Sequence, residues 1–531
     1  MRRRPLVAMG IAVVTAAGLV AACGGDEPVP TARTATPEAE SAGPAQEAGV
    51  AIPNGRVEHI LDRIDQRAGE LMRSTEIPGM AVAVVSDGKI VYQKGFGVRD
   101  VVSRLPVDPE TVFQLASMSK PIGATVVARQ VQEGVVDWDT PMREPAPWFA
   151  LNDPYVSDHV TIGDLYSHRS GLPDHAGDEL EDLGFDRAEI LERLRLLPLG
   201  PFRDSYEYTN FGVTAAATAV ADAAGTDWAE LSERSLYRPL GMGATSSRYD
   251  DFLATPDRAN GHVLVDGAYR RSEQGRQPDA QSPAGGVNSS VRDIARWMTM
   301  VLAGGSFEGK QVVAPEALLP AVSPQAVSVP PSAPDARAGS YGFGFNVNDS
   351  AAGRVVLSHS GAFNAGAATA FTLIPSADVG IVTLTNAAPI GVPETLNAEF
   401  ADLVQFGEVR QDWWELYREA FAQIDAPTGE LVDVSPPRDA APAQPSETYT
   451  GVYGNDYYGP ATVSADDAGA LLLTLGPGRV TVPLRHREGD TFVFSPGGES
   501  ANPGTVSQAR FEGDRLWLEF YDTGGLGTFI R

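Results

Sequence analysis

Apolar residues Val57, Ile60, Leu61, Ile64, Ala68 and Leu71 recur at steps of one to four, a stripe that predicts an amphipathic helix. The period then shortens. Met80 to Val85 and Lys89 to Tyr92 flank Asp87-Gly88, and two such runs around an Asp-Gly pair predict a β-hairpin. From about residue 160 to 320 helical periodicity dominates between Gly/Pro loops, clearest in Ala215 to Ala223 and Val291 to Leu302. Strand patterns return at Gly342 to Val347, Val355 to Leu357, Ala367 to Leu373 and Val379 to Leu384. A helical block between distant strand groups predicts one sheet built from both ends. The expected class is therefore α+β: an antiparallel sheet flanked by helices, with an inserted all-helical subdomain.

Helical character reappears from about Val409 to Ile424, where Trp413 and Trp414 are expected to pack a junction, and Pro427 to Pro445 reads as a Pro/Ala/Asp-rich linker. Tyr449 to Arg531 carries short alternating runs such as Leu471 to Leu475, Thr491 to Phe494 and Leu516 to Phe520, which predict a small all-β barrel or sandwich. Tyr457 and Tyr458 are expected in its core or rim rather than on a ligand-binding face. The Pro/Ser/Ala stretch Val322 to Ala338 reads as a mobile loop near the cleft. The expected organisation is residues 54–408, 409–446 and 447–531, which fits a chain of 531 residues, too long for one ordinary core.

The N-terminus differs from all of this. Arg2-Arg3-Arg4 precedes an apolar run from Pro5 to Ala22, the order of a secretory signal (1–22), and Val20-Ala21-Ala22-Cys23 resembles the bacterial lipobox. On that reading Cys23 is lipidated and the protein is extracytoplasmic, anchored to the membrane through Cys23; residues 23–53, poor in large apolar side chains, form a tether. Cys23 is the only cysteine, which excludes disulfides within the chain, thiolate zinc sites and cysteine nucleophiles. With 41 Lys plus Arg against 69 Asp plus Glu, the formal net charge of -28 opposes binding to nucleic acid.

The chemistry begins at Ser117, three residues before Lys120 in Phe113-Gln-Leu-Ala-Ser-Met-Ser-Lys-Pro121. At the start of a helix this spacing puts hydroxyl and amine on one face, with Pro121 tolerated in the first turn. Alone, Ser-x-x-Lys is a weak signal. Two more motifs follow: Tyr208-Thr-Asn210, and His359-Ser-Gly361 within Leu357-Ser-His-Ser-Gly-Ala-Phe-Asn-Ala-Gly366. Three motifs in this order resemble the serine β-lactamase and penicillin-binding protein superfamily, most closely its class C and esterase-like branch. Leu165 to Pro173, Pro283 to Val287 and Leu384-Thr-Asn386 look like landmarks of the same family.

The resemblance implies a β-lactamase/transpeptidase-like fold and a serine hydrolase that needs no cofactor or metal. It assigns Ser117 as acylated nucleophile, Lys120 and Tyr208 as partners in proton transfer, and the backbone N–H groups of Ser117 and Ala362 as oxyanion donors. Asn210 then positions substrate or holds Lys120, and Gly361 lets the strand approach closely. Free lysine and tyrosine titrate near ~10.4 and ~10, so a neutral-pH base needs a shift of about three units, or about 4 kcal/mol. A cation at ~4 Å in an effective dielectric of ~20 is worth about that much, which makes a coupled Lys120–Tyr208 pair sufficient. The spacing leaves open which of the two is the immediate base. His359 stands where many relatives carry a lysine, and an imidazole of ordinary pKa ~6.5 is mostly uncharged at pH 7. The expectation is a small-molecule or peptide substrate: esters, amides or peptides rather than penicillins. A β-lactamase or carboxypeptidase on cell-wall-like substrates, and a silent peptidoglycan-binding protein, are the alternatives. His168, Asp174 and His175 sit in a Gly/Pro turn and are expected to be structural rather than metal ligands.

Overall fold

The longer helices are α1 (Arg56–Thr75), α2 (Ser119–Gln132), α3 (Asn210–Ala223), α4 (Val291–Leu302), α5 (Val392–Phe406) and α6 (Trp413–Ile424). The computed structural model describes residues 50–273 and 275–531, so the signal segment, Cys23 and all but the end of the tether lie outside the described residues.

One antiparallel sheet organises the first region. Its strands are β1 (Gly79–Ser86), β2 (Lys89–Gly97), β3 (Ala326–Val329), β4 (Gly339–Tyr341), β5 (Asn346–Asp349), β6 (Val355–Phe363), β7 (Ala367–Ile374) and β8 (Val379–Thr385). The order is β2-β1-β8-β7-β6-β5-β4-β3, so the N-terminal hairpin pairs with the last strand and the sheet is built from both ends. The Asp87-Gly88 turn takes positive φ at both residues, as a tight hairpin requires. Strand β1 is buried along its whole length because it is covered on both faces. Met80, Val82 and Val84 pack with Ile60, Ile64 and Leu71 of α1 and Leu396, Phe400 and Val404 of α5. Ala81, Ala83 and Val85 face the helical block. Helix α2 is buried nearly all round, which makes it the central helix of that block.

Two local expectations change. Gly342 to Val347 reads as one strand, yet Gly342 to Phe345 is a tight connection between β4 and β5, with Gly344 at φ +79°. A Cβ on Gly344 would lie 2.7 Å from the Lys120 carbonyl oxygen, so the turn packs flush against α2 and only glycine fits. The stretch Val322 to Ala338 is not loop throughout, because Ala326–Val329 adds an edge strand to the sheet.

Strands β9 (Gly451–Tyr453), β10 (Ala461–Ala465), β11 (Leu471–Leu475), β12 (Val480–Glu488), β13 (Thr491–Phe494), β14 (Ser507–Glu512), β15 (Arg515–Leu518) and β16 (Thr528–Ile530) form a second sheet in consecutive order. A bridge between Gly454 and Ile530 brings its ends together, making a nearly closed barrel. Tyr457 and Tyr458 are each 1% exposed and belong to its core. The barrel packs on the helical block: Arg193 Nη1 donates to the carbonyl oxygens of Asp456 and Tyr457 at 2.6 and 2.8 Å. The N–H groups of Glu499 and Ser500 donate to the two oxygens of Asp182 at 2.9 and 2.8 Å. Trp413 Nε1 donates to Asp402 Oδ2 at 2.7 Å, tying α6 to α5.

Candidate active site

Ser117 occupies a 3-10 turn, Ala116–Met118, that runs directly into α2. Tertiary hydrogen bonds fix this turn. Leu115 N–H donates to the Val287 carbonyl at 2.9 Å, and Thr369 Oγ1 on β7 donates to the Leu115 carbonyl at 2.8 Å. Ser119 Oγ donates to the Ala116 carbonyl at 2.6 Å and accepts from Val287 N–H at 2.9 Å. Ala116 is held at φ +47°, a strain of about 1–3 kcal/mol that such over-determination sustains. The Pro283 to Val287 segment thus braces the Ser117 turn from behind.

Lys120 is fully buried and its Nζ meets three oxygens: Ser117 Oγ at 3.1 Å, Asn210 Oδ1 at 2.6 Å and the Ala284 carbonyl at 3.1 Å. Desolvation pushes the amine down to about 7, against the opposing pull of Asp178. The Ala284 carbonyl is a contact that side-chain motifs do not announce. Asn210, at the first turn of α3, turns its amide toward Lys120.

The ring of Tyr208 lies under that amine, 4.5 Å from Nζ to its centroid. Burial drives its hydroxyl well above the ordinary phenol range, with Ser117 pulling the other way through a hydrogen bond. The chain around Tyr208 is pinned by two imidazole-bearing residues. His168 Nδ1 accepts from Thr209 N–H at 3.1 Å, and His175 N–H donates to the Tyr208 carbonyl at 2.7 Å. Burial holds His168 neutral, far below its ordinary value. Among the described residues no group of three or more His, Cys, Asp or Glu is arranged to hold a metal ion.

The third motif lies on β6, which continues past Leu357 to Phe363. His359 is 6% exposed and pushed down to about 3 by desolvation and by Lys120. It is a neutral ring: Nδ1–H donates to the Ser360 carbonyl at 2.6 Å and Nε2 accepts from the Tyr341 hydroxyl at 2.8 Å. Gly361 and Ala362 follow, and Ala362 is exposed to the cleft. A Cβ on Gly361 would lie 3.0 Å from the Ser117 nitrogen, so this strand runs immediately beside the Ser117 amide.

These residues open onto a cavity of about 840 Å³. Sequence motifs missed its far wall. Asp178, Glu179, Glu181 and Asp182 come from one short helix, and Glu499, Ser500, Phe520 and Thr523 from the barrel. Asp178 Oδ2 accepts from Asn210 Nδ2 at 2.8 Å. Glu181 pairs with Arg276 and Gln281. Burial raises both Glu179 and Glu499 to about 7. The cleft is therefore closed by the C-terminal barrel on an acidic side.

A family model described as Beta-lactamase matches residues 64–406, and one described as a domain of unknown function (DUF3471) matches residues 435–512. The chain is 28% identical to the Unguisins hydrolase of Aspergillus violaceofuscus over 80% of this chain and 81% of that protein. It is 27% identical to Esterase EstB of Burkholderia gladioli over 64% of this chain and 94% of that protein. An octameric penicillin-binding protein homologue from Pyrococcus abyssi shares the fold, with a TM-score of 0.57 and 20% identity over 89% of this chain and 100% of that one.

Proposed function

The chain belongs to the beta-lactamase family and is a serine hydrolase of that superfamily, and from that premise we propose that it cleaves ester, amide or peptide substrates through a covalent acyl-enzyme on Ser117. The observation that carries the reading is the set of three oxygens around Lys120. A charged ammonium has three donors for them, whereas the neutral amine has two and a lone pair. In the neutral form, which burial favours, the two N–H groups satisfy Asn210 and Ala284. The lone pair is then left to accept the proton of Ser117 Oγ–H. Burial also opposes a Tyr208 phenolate, which favours neutral Lys120 with protonated Tyr208 over the charge-separated pair.

The steps follow from this arrangement. Ser117 Oγ bonds to the substrate carbonyl carbon as its proton passes to Lys120. The negative charge gathering on the carbonyl oxygen is received by the N–H groups of Ser117 and Ala362, each worth about 2.7–4 kcal/mol of barrier. The bond to the leaving group then breaks, and that group takes a proton delivered from Lys120 through the Tyr208 hydroxyl. Water repeats the sequence on the acyl-enzyme, releasing the acid and restoring Ser117.

Neutral His359 and the acidic far wall bear on the substrate. A penicillin carboxylate would find no cation in the third motif, and the cations on the far wall, Arg276 and His175, are already paired with Glu181 and Asp178. Short esters and peptides carry no such requirement. The test is to compare kcat/KM for p-nitrophenyl esters, peptide p-nitroanilides and a chromogenic cephalosporin. Higher kcat/KM for the cephalosporin would overturn the preference. Absence of turnover with all three, together with binding of fluorescent penicillin, would favour a silent binding protein. The membrane anchor through Cys23 is part of the proposal, and loss of lipid labelling in Cys23→Ser tests it.

A further inference from the structure

A continuous file of side chains runs from Lys120 to the surface. Lys120 Nζ donates to Asn210 Oδ1 at 2.6 Å, and Asn210 Nδ2 donates to Asp178 Oδ2 at 2.8 Å. His175 Nδ1–H donates to the same Asp178 oxygen at 2.7 Å, and His175 Nε2 lies 3.9 Å from Asp174 Oδ2. The file ends at solvent, because the His175 side chain is 58% exposed. Its middle is buried, and Asp178 Oδ1 has no hydrogen-bond partner among the described residues.

An amide is nearly symmetric in shape, so something must decide which end of Asn210 faces the amine. Reversed, its NH2 would point at Lys120, which donates to it, and its oxygen at a carboxylate. Both contacts would be repulsive. Asp178 therefore fixes the amide. A carboxylate so close also favours charged Lys120, and the imidazolium of His175 opposes that. The pairing raises His175 to about 9, so the cation persists through neutral pH.

We propose that Asp178 and His175 are positioning residues for Lys120: the carboxylate orients the Asn210 amide, and the imidazolium balances the carboxylate so that it does not lock the amine in its charged form. This rests on the Ser117–Lys120 reading above and extends it to residues outside the three motifs.

Other charged or titratable groups face the file. Glu179 and Glu181 lie beside Asp178 on its own helix, and Tyr457 faces it from the barrel. Tyr206 stands near Asp174, and the Tyr208 ring lies 5.7 Å from that of His175. His168 and His359 face Lys120 as neutral rings. Of all these, Asp178 and His175 alone are joined to Lys120 through Asn210 by hydrogen bonds. Their substitutions should therefore move its titration in opposite directions.

The experiment measures ester turnover from pH 5 to 10 for wild type, His175→Gln, Asp178→Asn and Asp178→Ala, with the thermal midpoint of each. In His175→Gln the unbalanced carboxylate holds Lys120 charged, and the acidic limb of kcat/KM moves up by about one pH unit. In Asp178→Asn the anion is gone and the limb moves down by about the same amount. Asp178→Ala also loses the acceptor for Asn210, so its plateau kcat falls about 10- to 100-fold with little change in KM, and Asp178→Asn recovers most of that loss. Limbs that stay put, or shift the same way in both charge variants, overturn the proposal. So does an Asp178→Asn plateau as low as that of Asp178→Ala when both remain folded. Should the Asp178 variants not fold, the exposed His175→Gln and an NMR titration of His175 in the wild type decide it. An imidazole that titrates near its ordinary value of ~6.5 contradicts the pair. Turnover surviving Ser117→Ala would overturn the underlying reading instead, so the two failures are distinguishable.

Discussion

Gly361 lies against Leu115 so closely that a Cβ built on the glycine would sit 2.1 Å from the Leu115 carbonyl oxygen. The same Cβ would approach Thr369 Oγ1 to 2.6 Å, and it is Thr369 that holds the Leu115 carbonyl. Any side chain here pushes β6 away from the Ser117 turn. Gly361→Ala is expected to lower kcat about 100-fold or more, the scale of losing one oxyanion donor. Steady-state kinetics on a p-nitrophenyl ester, beside a thermal melt showing a folded protein, checks it.

The pH profile should carry one acidic limb in the neutral range. With Lys120 near 7 and active as the free amine, kcat/KM rises about tenfold per pH unit below 7 and levels above it. His359, near 3 and already neutral, adds no inflection between pH 5 and 8. A profile for His359→Asn that keeps the wild-type limb supports this assignment; removal of the limb contradicts it.

Burying Lys120 costs stability, with a definite sign in pH. Its folded pKa of about 7 lies below the unfolded value, so the penalty is full below pH 7 and fades as pH rises toward ~10.4. A shift from 10.5 to about 7 sets a ceiling of about 4–5 kcal/mol, which three lost hydrogen bonds of ~1 kcal/mol each largely offset. Lys120→Met is therefore expected to be inactive yet more stable than wild type by about 1–2 kcal/mol at pH 6, and less stable than wild type by about 1 kcal/mol at pH 9, where most of the penalty has faded but the hydrogen bonds are still lost. Denaturant unfolding at both pH values measures it.

The Glu499 carboxyl at the barrel junction has the opposite sign. Its folded pKa of about 7 lies above the ordinary value, so the folded state holds more protons between about 4.5 and 7 and loses stability as pH rises through that window. Glutamine keeps an acceptor for the Asn364 N–H without the charge. The stability of Glu499→Gln relative to wild type should grow by about 1–2 kcal/mol from pH 5 to pH 8. A constant difference across that range would contradict the assignment.

The sequence carried what local spacing encodes. The Asp87-Gly88 hairpin, the stripe of α1 and the Ser117–Lys120 step are short-range patterns, and each appears in the structure where its period places it. The antiparallel α+β layout followed from strand groups separated by helices. Other features depend on contacts that no local pattern contains. Asn210 reaches Asp178 across 32 residues and Asn364 meets Glu499 across 135, so neither acidic partner has a motif of its own. Residue type already makes His359 mostly uncharged at pH 7, but the burial that pushes it down to about 3 is not reported by any local pattern. Gly342 to Phe345 has the composition of a strand, but the close approach of Gly344 to Lys120 turns it into a bend.

Intact-protein mass spectrometry after rapid quenching of an ester reaction tests the covalent account most directly. Wild type is expected to gain the mass of one acyl group, mapped by peptide fragmentation to Ser117, and Ser117→Ala to gain none. An acyl group on another residue, or full turnover by Ser117→Ala, would contradict the account.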